Sequence, residues 1–283
     1  MNSGFTNNGL SIKALRIFLS NEMSRFTEGE EILTIIAEKV ISETDNYGFE
    51  EGITGFGWLI AYLHYCHYIT INSDEILEDV DDQVYKYTIY TISNQKEDIH
   101  TLLGLVDYFT IRHLNKNPQE ILYRKLIHYE CINLIFDLFK VYLEKCLNKK
   151  KLTLQELTNC CRILLKFSFC LQHIKQHQWN NILIKYLVYL ISFIKEKYNK
   201  KTIPYEELYI LLLITKQGGY TLAENIIIEM ILLNHPDNTN HFILNLIKNT
   251  YQKPENLSDN ELLFTLTNYN FLQLTSSEQI PHV

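Results

Sequence analysis

Helical periodicity runs through almost the whole chain. Apolar residues recur three and four positions apart, and the pattern breaks only at intervals of about 15–25 residues. A chain patterned this way cannot lay its apolar side chains on one face of a strand, so it must bury them between helices. Twelve segments read as helices: Leu10–Asn21, Gly29–Thr44, Thr54–Ile69, Ser73–Ile92, Asp98–Asn115, Pro118–Leu147, Leu154–His177, Trp179–Tyr198, Pro204–Lys216, Thr221–Asn234, Thr239–Tyr251 and Ser258–Asn268. Short connections imply antiparallel neighbours, so the expected unit is the helical hairpin. The prediction is an all-α protein of stacked hairpins, one domain over residues 1–283 with a polar, frayed tail at 274–283. Composition agrees, because 46% of the 283 residues are hydrophobic and ten glycines and five prolines are too few for a many-stranded fold. Val84–Tyr90 alternates as a strand would, but it follows Glu75–Asp81 at helical spacing and reads as the end of a helix.

Three start signals place boundaries. They are Ser73-Asp74-Glu75 as a cap with acids at the positive helix end, Pro118 at a first helical position, and Ser258-Asp259-Asn260-Glu261 as a capping box.

A net charge of −7 argues against a nucleic-acid partner, and the one basic run, Lys149-Lys150-Lys151, reads as a solvated loop. Ile53–Ser73 carries no charge and is long enough to cross a bilayer, yet glycines, histidines and tyrosines dilute it and its flanks are acidic. A helix buried all round is the better reading, with no membrane partner. Six cysteines (Cys66, Cys131, Cys146, Cys160, Cys161 and Cys170) lie at apolar helical positions without a C-x-x-C pair, as expected of buried thiols in a reduced cytoplasmic protein without a signal peptide.

The stretch Tyr47-Gly48-Phe49-Glu50-Glu51-Gly52-Ile53-Thr54-Gly55-Phe56-Gly57-Trp58-Leu59 resembles the glycine-marked repeat of lanthionine synthetase C-like proteins, in particular shortened versions from Bacteroidetes. Ile76–Asp81 resembles an outer-helix motif of that family. Leu102-Leu103-Gly104-Leu105-Val106-Asp107 through Arg112 resembles a second glycine-marked inner helix, and Gly218-Gly219-Tyr220 is a weaker echo. The resemblance implies an α/α toroid, closed or incomplete, in which Gly52, Gly55, Gly57, Trp58 and Gly104 are structural. It also implies work on ribosomally made, modified peptides, with a peptide or a peptide-modifying enzyme as partner.

Cyclases of this family hold zinc through two cysteines and a histidine, in Trp-Cys-Gly-like and Cys-His-Gly elements; neither occurs here. Cys66-His67 is the nearest match, and Tyr68 stands where glycine would follow. Cys170, His173 and His177 fall at i, i+3 and i+7, where one helix stripe could offer zinc a thiolate and two imidazoles. Cys160-Cys161 are too close in sequence for an ordinary disulfide and read as core thiols. The paired carboxylates Glu50-Glu51, Glu78-Asp79 and Asp81-Asp82 read as solvated or helix-start residues. The expected function is therefore an accessory protein that binds a peptide or partner enzyme without zinc cyclisation and without a cofactor. A divergent zinc cyclase or hydrolase, or a helical-repeat scaffold, are the alternatives.

Overall fold

The computed structural model describes residues 9–20, 22–42, 46–49, 52–94, 98–117, 122–197, 205–234, 243–244 and 254–269. Of these, 85% are helical and none is in a strand. The chain divides into two compact units, residues 1–132 with 252–283, and residues 133–251.

The first unit begins with α1 (Leu10–Leu19), a 3-10 turn at Met23–Arg25 and α2 (Phe26–Ser42). It continues through α3 (Ile53–Tyr65), the single turn α4 (Ser73–Ile76), α5 (Glu78–Ser93) and α6 (Ile99–Leu114). The leading half of α7 (Leu122–Leu147) and, near the other end of the chain, α12 (Asp259–Asn268) complete it. Helix α1 packs on α2 and α3, and α3 packs on α5 and α6. The leading part of the uncharged stretch is a helix buried nearly all round, since from Ile53 to Leu63 only Phe56 is partly exposed, but the helix ends at Tyr65 instead of running to Ile69. Helix α6 is buried from Leu102 to Arg112.

The second unit holds the trailing half of α7 with α8 (Leu154–His173), α9 (His177–Lys197), α10 (Tyr205–Gly218) and α11 (Thr221–Asn234). Its centre is α10, whose residues Leu208–Thr215 are all buried. Helix α10 lies against α8 and α11, and α9 against α8 and α11. Phe136 of α7 meets Phe167 of α8 and Trp179 of α9 at ring-centroid distances of 4.0 and 4.6 Å.

Several boundaries differ from the sequence reading. Ser73 is not a cap: the side chain of Asn72 accepts from Asp74 N, while Ser73 is buried as the first helical residue. The expected continuous helix Ser73–Ile92 breaks at Leu77, whose backbone (φ −98°, ψ 13°) closes α4 and opens α5. The Ser258–Glu261 capping box is present, and so is an unanticipated one between Thr153 and Glu156 at the start of α8. Val84–Tyr90 is helical within α5. Pro118, Glu50-Glu51, the 274–283 tail and all of Thr239–Tyr251 except residues 243–244 lie outside the described residues.

Candidate functional site

The glycine-marked residues all lie in the first unit and act through shape. A side chain on Gly55 would place its Cβ 1.9 Å from the Phe49 carbonyl oxygen, and one on Gly104 would lie 2.5 Å from Phe49 Cβ. A Cβ on Gly52 would lie 2.3 Å from the Asn46 carbonyl. These glycines let the 46–49 segment sit against α3 and α6. A Cβ on Gly57 would meet Tyr108 of α6 at 2.6 Å and Val80 of α5 at 2.8 Å, so this position sets how closely α3 approaches both helices. Trp58 is fully buried, edge-on to Phe49 and stacked on Tyr62 at 5.2 Å.

Beside this junction lies a charged cluster that the sequence reading missed. Arg112 of α6 has no exposed side-chain surface, and it forks onto Asp81 of α5 through Nε (2.9 Å) and Nη2 (2.6 Å). It also donates to Asp74 (3.1 Å) and to Ser73 Oγ (3.0 Å) of α4. Tyr108 donates to Asp81 at 2.5 Å, Arg124 reaches it at 3.3 Å, and His128 Nε2 lies 3.5 Å away. Burial pushes the Asp81 carboxyl up, but the hydrogen bonds from Arg112 and His128 outweigh it and hold the group well below the usual carboxylate range. The solvated reading of Asp81 is therefore corrected: a lone arginine in an apolar helix must find a carboxylate, and Asp81 is that partner. The available signal was Arg112 itself, at the end of a run from Leu102 whose only other charge is Asp107.

The zinc candidates do not converge. Helix α8 ends at His173 and α9 begins at His177, so Cys170, His173 and His177 share no single helix face. Cys170 is buried, His173 packs edge-on against Phe169 at 5.0 Å, and His177 is exposed. The break follows from Ile174, which is buried with an extended backbone and is followed by Lys175 and Gln176 before the next helix starts. Cys66-His67 is a helix stop. His67 adopts φ +61°, and the bonds Tyr68 N to Leu63 O (2.9 Å) and His67 N to His64 O (3.0 Å) close α3 as a Schellman motif. Burial pushes the Cys66 thiol up to about 12. Among the described residues no group of three or more His, Cys, Asp or Glu side chains is arranged to hold a metal.

Two clefts remain. One, of about 640 Å³, lies between α1 and the 254–259 segment, and its cations are paired: Arg16 with Asp259 (2.7 Å), Lys13 with Glu28 (3.0 Å) and Arg25 with Glu28 (3.2 Å). The other, of about 370 Å³, lies in the second unit where α8, α9 and α10 end or begin. The amide residues Gln172, Gln176, Asn180 and Gln217 line it together with Leu171 and Leu183. Lys175 and His177 also border it, and no carboxylate does.

The walls of this cleft are pinned. Ser168 Oγ donates to Gln217 Oε1 (2.9 Å), joining α8 to α10. The Tyr220 hydroxyl donates to Asn180 Oδ1 (2.9 Å), joining the start of α11 to α9. Gly219, at φ +67°, ends α10 in another Schellman motif, with Tyr220 N bonded to Thr215 O (2.9 Å). The Gly218-Gly219-Tyr220 echo thus shapes one edge of the cleft.

No model of a known family, no curated protein and no solved structure matches the chain.

Proposed function

We propose that this chain is a lanthionine synthetase C-like helical protein that holds a peptide as an accessory in the maturation of a ribosomally made, modified peptide, without cyclising it on zinc. The observation that carries the peptide reading is the amide-lined cleft of the second unit. A side-chain amide both donates and accepts, so it can match the N–H and C=O of a peptide group. Gln172 carries such an amide, and with no carboxylate on its lining the cleft suits a neutral main chain better than a cationic ligand. The cleft volume falls within the range common for ligand sites. Gln172, Lys175 and His177 make no hydrogen bond or ion pair with any described residue, which leaves their polar groups available to a ligand. The link to peptide maturation rests on the motifs around Gly52–Trp58 and Gly104. The zinc-cyclase alternative is the weaker one, because its best ligands sit on opposite sides of a helix break.

Fluorescence polarisation with labelled, uncharged, serine- and threonine-rich peptides tests this. Saturable binding is expected, weakened about tenfold or more when Gln172 and Lys175 are both changed to alanine, equivalent to about 1.4 kcal/mol. An Arg16→Met change in the other cleft should leave binding unaltered. Absence of binding, or equal binding by the Gln172/Lys175 variant, would overturn the assignment.

A further inference from the structure

Three parts of the second unit meet at its cleft: the end of α8, the start of α9 and the α10–α11 corner at Gly218–Tyr220. The helix ends oppose one another, since α8 offers its last carbonyls and α9 its first N–H groups, and their partial charges of about half a unit largely offset. Side chains therefore decide the sign. Lys175 brings a full positive charge, His177 stands beside it at the first position of α9, and no Asp or Glu lines the cleft. Neither Lys175 nor His177 makes a hydrogen bond or ion pair with any described residue. Glu224, the acid in the first turn of α11, is already taken by Lys216 at 3.1 Å.

The amides lean the same way. Asn180 Oδ1 accepts from the Tyr220 hydroxyl (2.9 Å) and Gln217 Oε1 accepts from Ser168 (2.9 Å), so the acceptor end of each amide is engaged. The Asn180 N–H groups meet no described partner. His177 and Asn180 are three apart on α9 and so share a face of that helix. Lys175, His177 and Asn180 together are thus rich in donors, and a carboxylate, which only accepts, is the group that complements them. At about 370 Å³ the cleft is near the lower end of the range for ligand sites, which suits the end of a chain better than a long segment passing through.

We propose that the cleft captures the C-terminal end of a peptide, with the α-carboxylate against Lys175, His177 and the Asn180 amide. This rests on the peptide reading above and names the part of the peptide that is recognised, a known mode of peptide capture. A free chain end supplies both the anion and, one residue back, the neutral main chain that Gln172 can match.

Fluorescence polarisation on the full-length protein tests it with one serine- and threonine-rich peptide, labelled at its N-terminus, in three forms. These are the free acid, the C-terminal amide, and the amide carrying one internal glutamate. The free acid is expected to bind about tenfold or more tightly than either other form. Lys175→Met should remove most of that difference, and added salt should narrow it, with circular dichroism confirming the fold of the variant. Equal binding of acid and amide, or a difference that survives Lys175→Met, would overturn the carboxylate assignment and leave the peptide reading standing. A glutamate form as tight as the free acid would overturn the terminal assignment in favour of carboxylates in general. Failure of all three forms to bind would remove the peptide reading and this inference with it.

Discussion

Gly55 and Gly57 are both buried glycines of α3, but they face different obstacles. A methyl on Gly55 would strike the Phe49 backbone, which cannot turn aside, whereas one on Gly57 would strike the Tyr108 ring and Val80, which can yield by small rotations. Gly55→Ala should therefore cost about 3 kcal/mol and Gly57→Ala about 1 kcal/mol, in the range of overpacked cores. Chemical denaturation should rank them in that order, and the reverse order would show that the 46–49 segment does not rest on α3. Trp58→Ala should cost about 3–5 kcal/mol through the cavity it leaves.

The acid response belongs to the same scale. His128 is buried against Asp81, with Asp74, Arg112, Arg124 and the Phe109 ring around it, and burial lowers its pKa despite the opposing pull of Asp81. A histidine whose folded pKa is depressed contributes stability that is present above its ordinary value of 6.5 and is lost as pH falls from there through its folded value. His113 and His173 are lowered by burial too and act with the same sign. Asp81, whose folded pKa is held down by Arg112 and His128, adds a second loss that begins as pH falls through the ordinary carboxylate range and continues below it. The melting temperature should thus fall as pH drops below about 6.5, and His128→Gln should flatten part of that slope. A slope identical to the parent's would remove His128 from the account.

Among the elements, helix ends were the least legible part of the sequence. A Ser-Asp-Glu string looks like a cap at residue 73, yet Asn72 performs it because Ser73 Oγ is committed to Asn117 and Arg112. Thr153→Ala, which removes one half of the capping box of α8, should cost about 1 kcal/mol. At the end of α3, His67 occupies the left-handed position that glycine fills without strain. His67→Gly should raise stability by up to about 1 kcal/mol, measured by urea denaturation, and a loss would mean that the imidazole makes a contact worth more than the strain.

For the whole molecule, Arg16 joins residues more than two hundred positions apart. Its guanidinium donates to the carbonyls of Pro254 (2.9 Å) and Leu257 (2.6 Å) and pairs with Asp259. Charge-assisted bonds of this kind contribute about 1.5–3 kcal/mol where water is partly excluded. Arg16→Met should therefore speed amide exchange in α12 before it affects α3. Because the candidate ligands are split by the α8–α9 break, protein purified without chelator should carry no stoichiometric zinc; about one zinc per chain, lost in Cys170→Ser, would restore the cyclase reading.

The all-α class and the burial of Ile53–Leu63 were written in the sequence because each depends on neighbours a few residues away, whereas what Gly57 and Gly104 make room for, Tyr108, Val80 and Phe49, comes from distant parts of the chain. Periodicity decides which helix face is apolar, and a missing side chain is visible as a letter. The pairing of Arg112 with Asp81 and the cleft lined by Gln172 and Gln217 depend instead on which helices become neighbours. That choice is made by side-chain packing summed over whole faces, so residues distant in the chain are brought together only once the helices have docked. The Cys170–His177 stripe shows the same division from the other side, since its spacing suited a helix that Ile174, turning into the core, brought to an end.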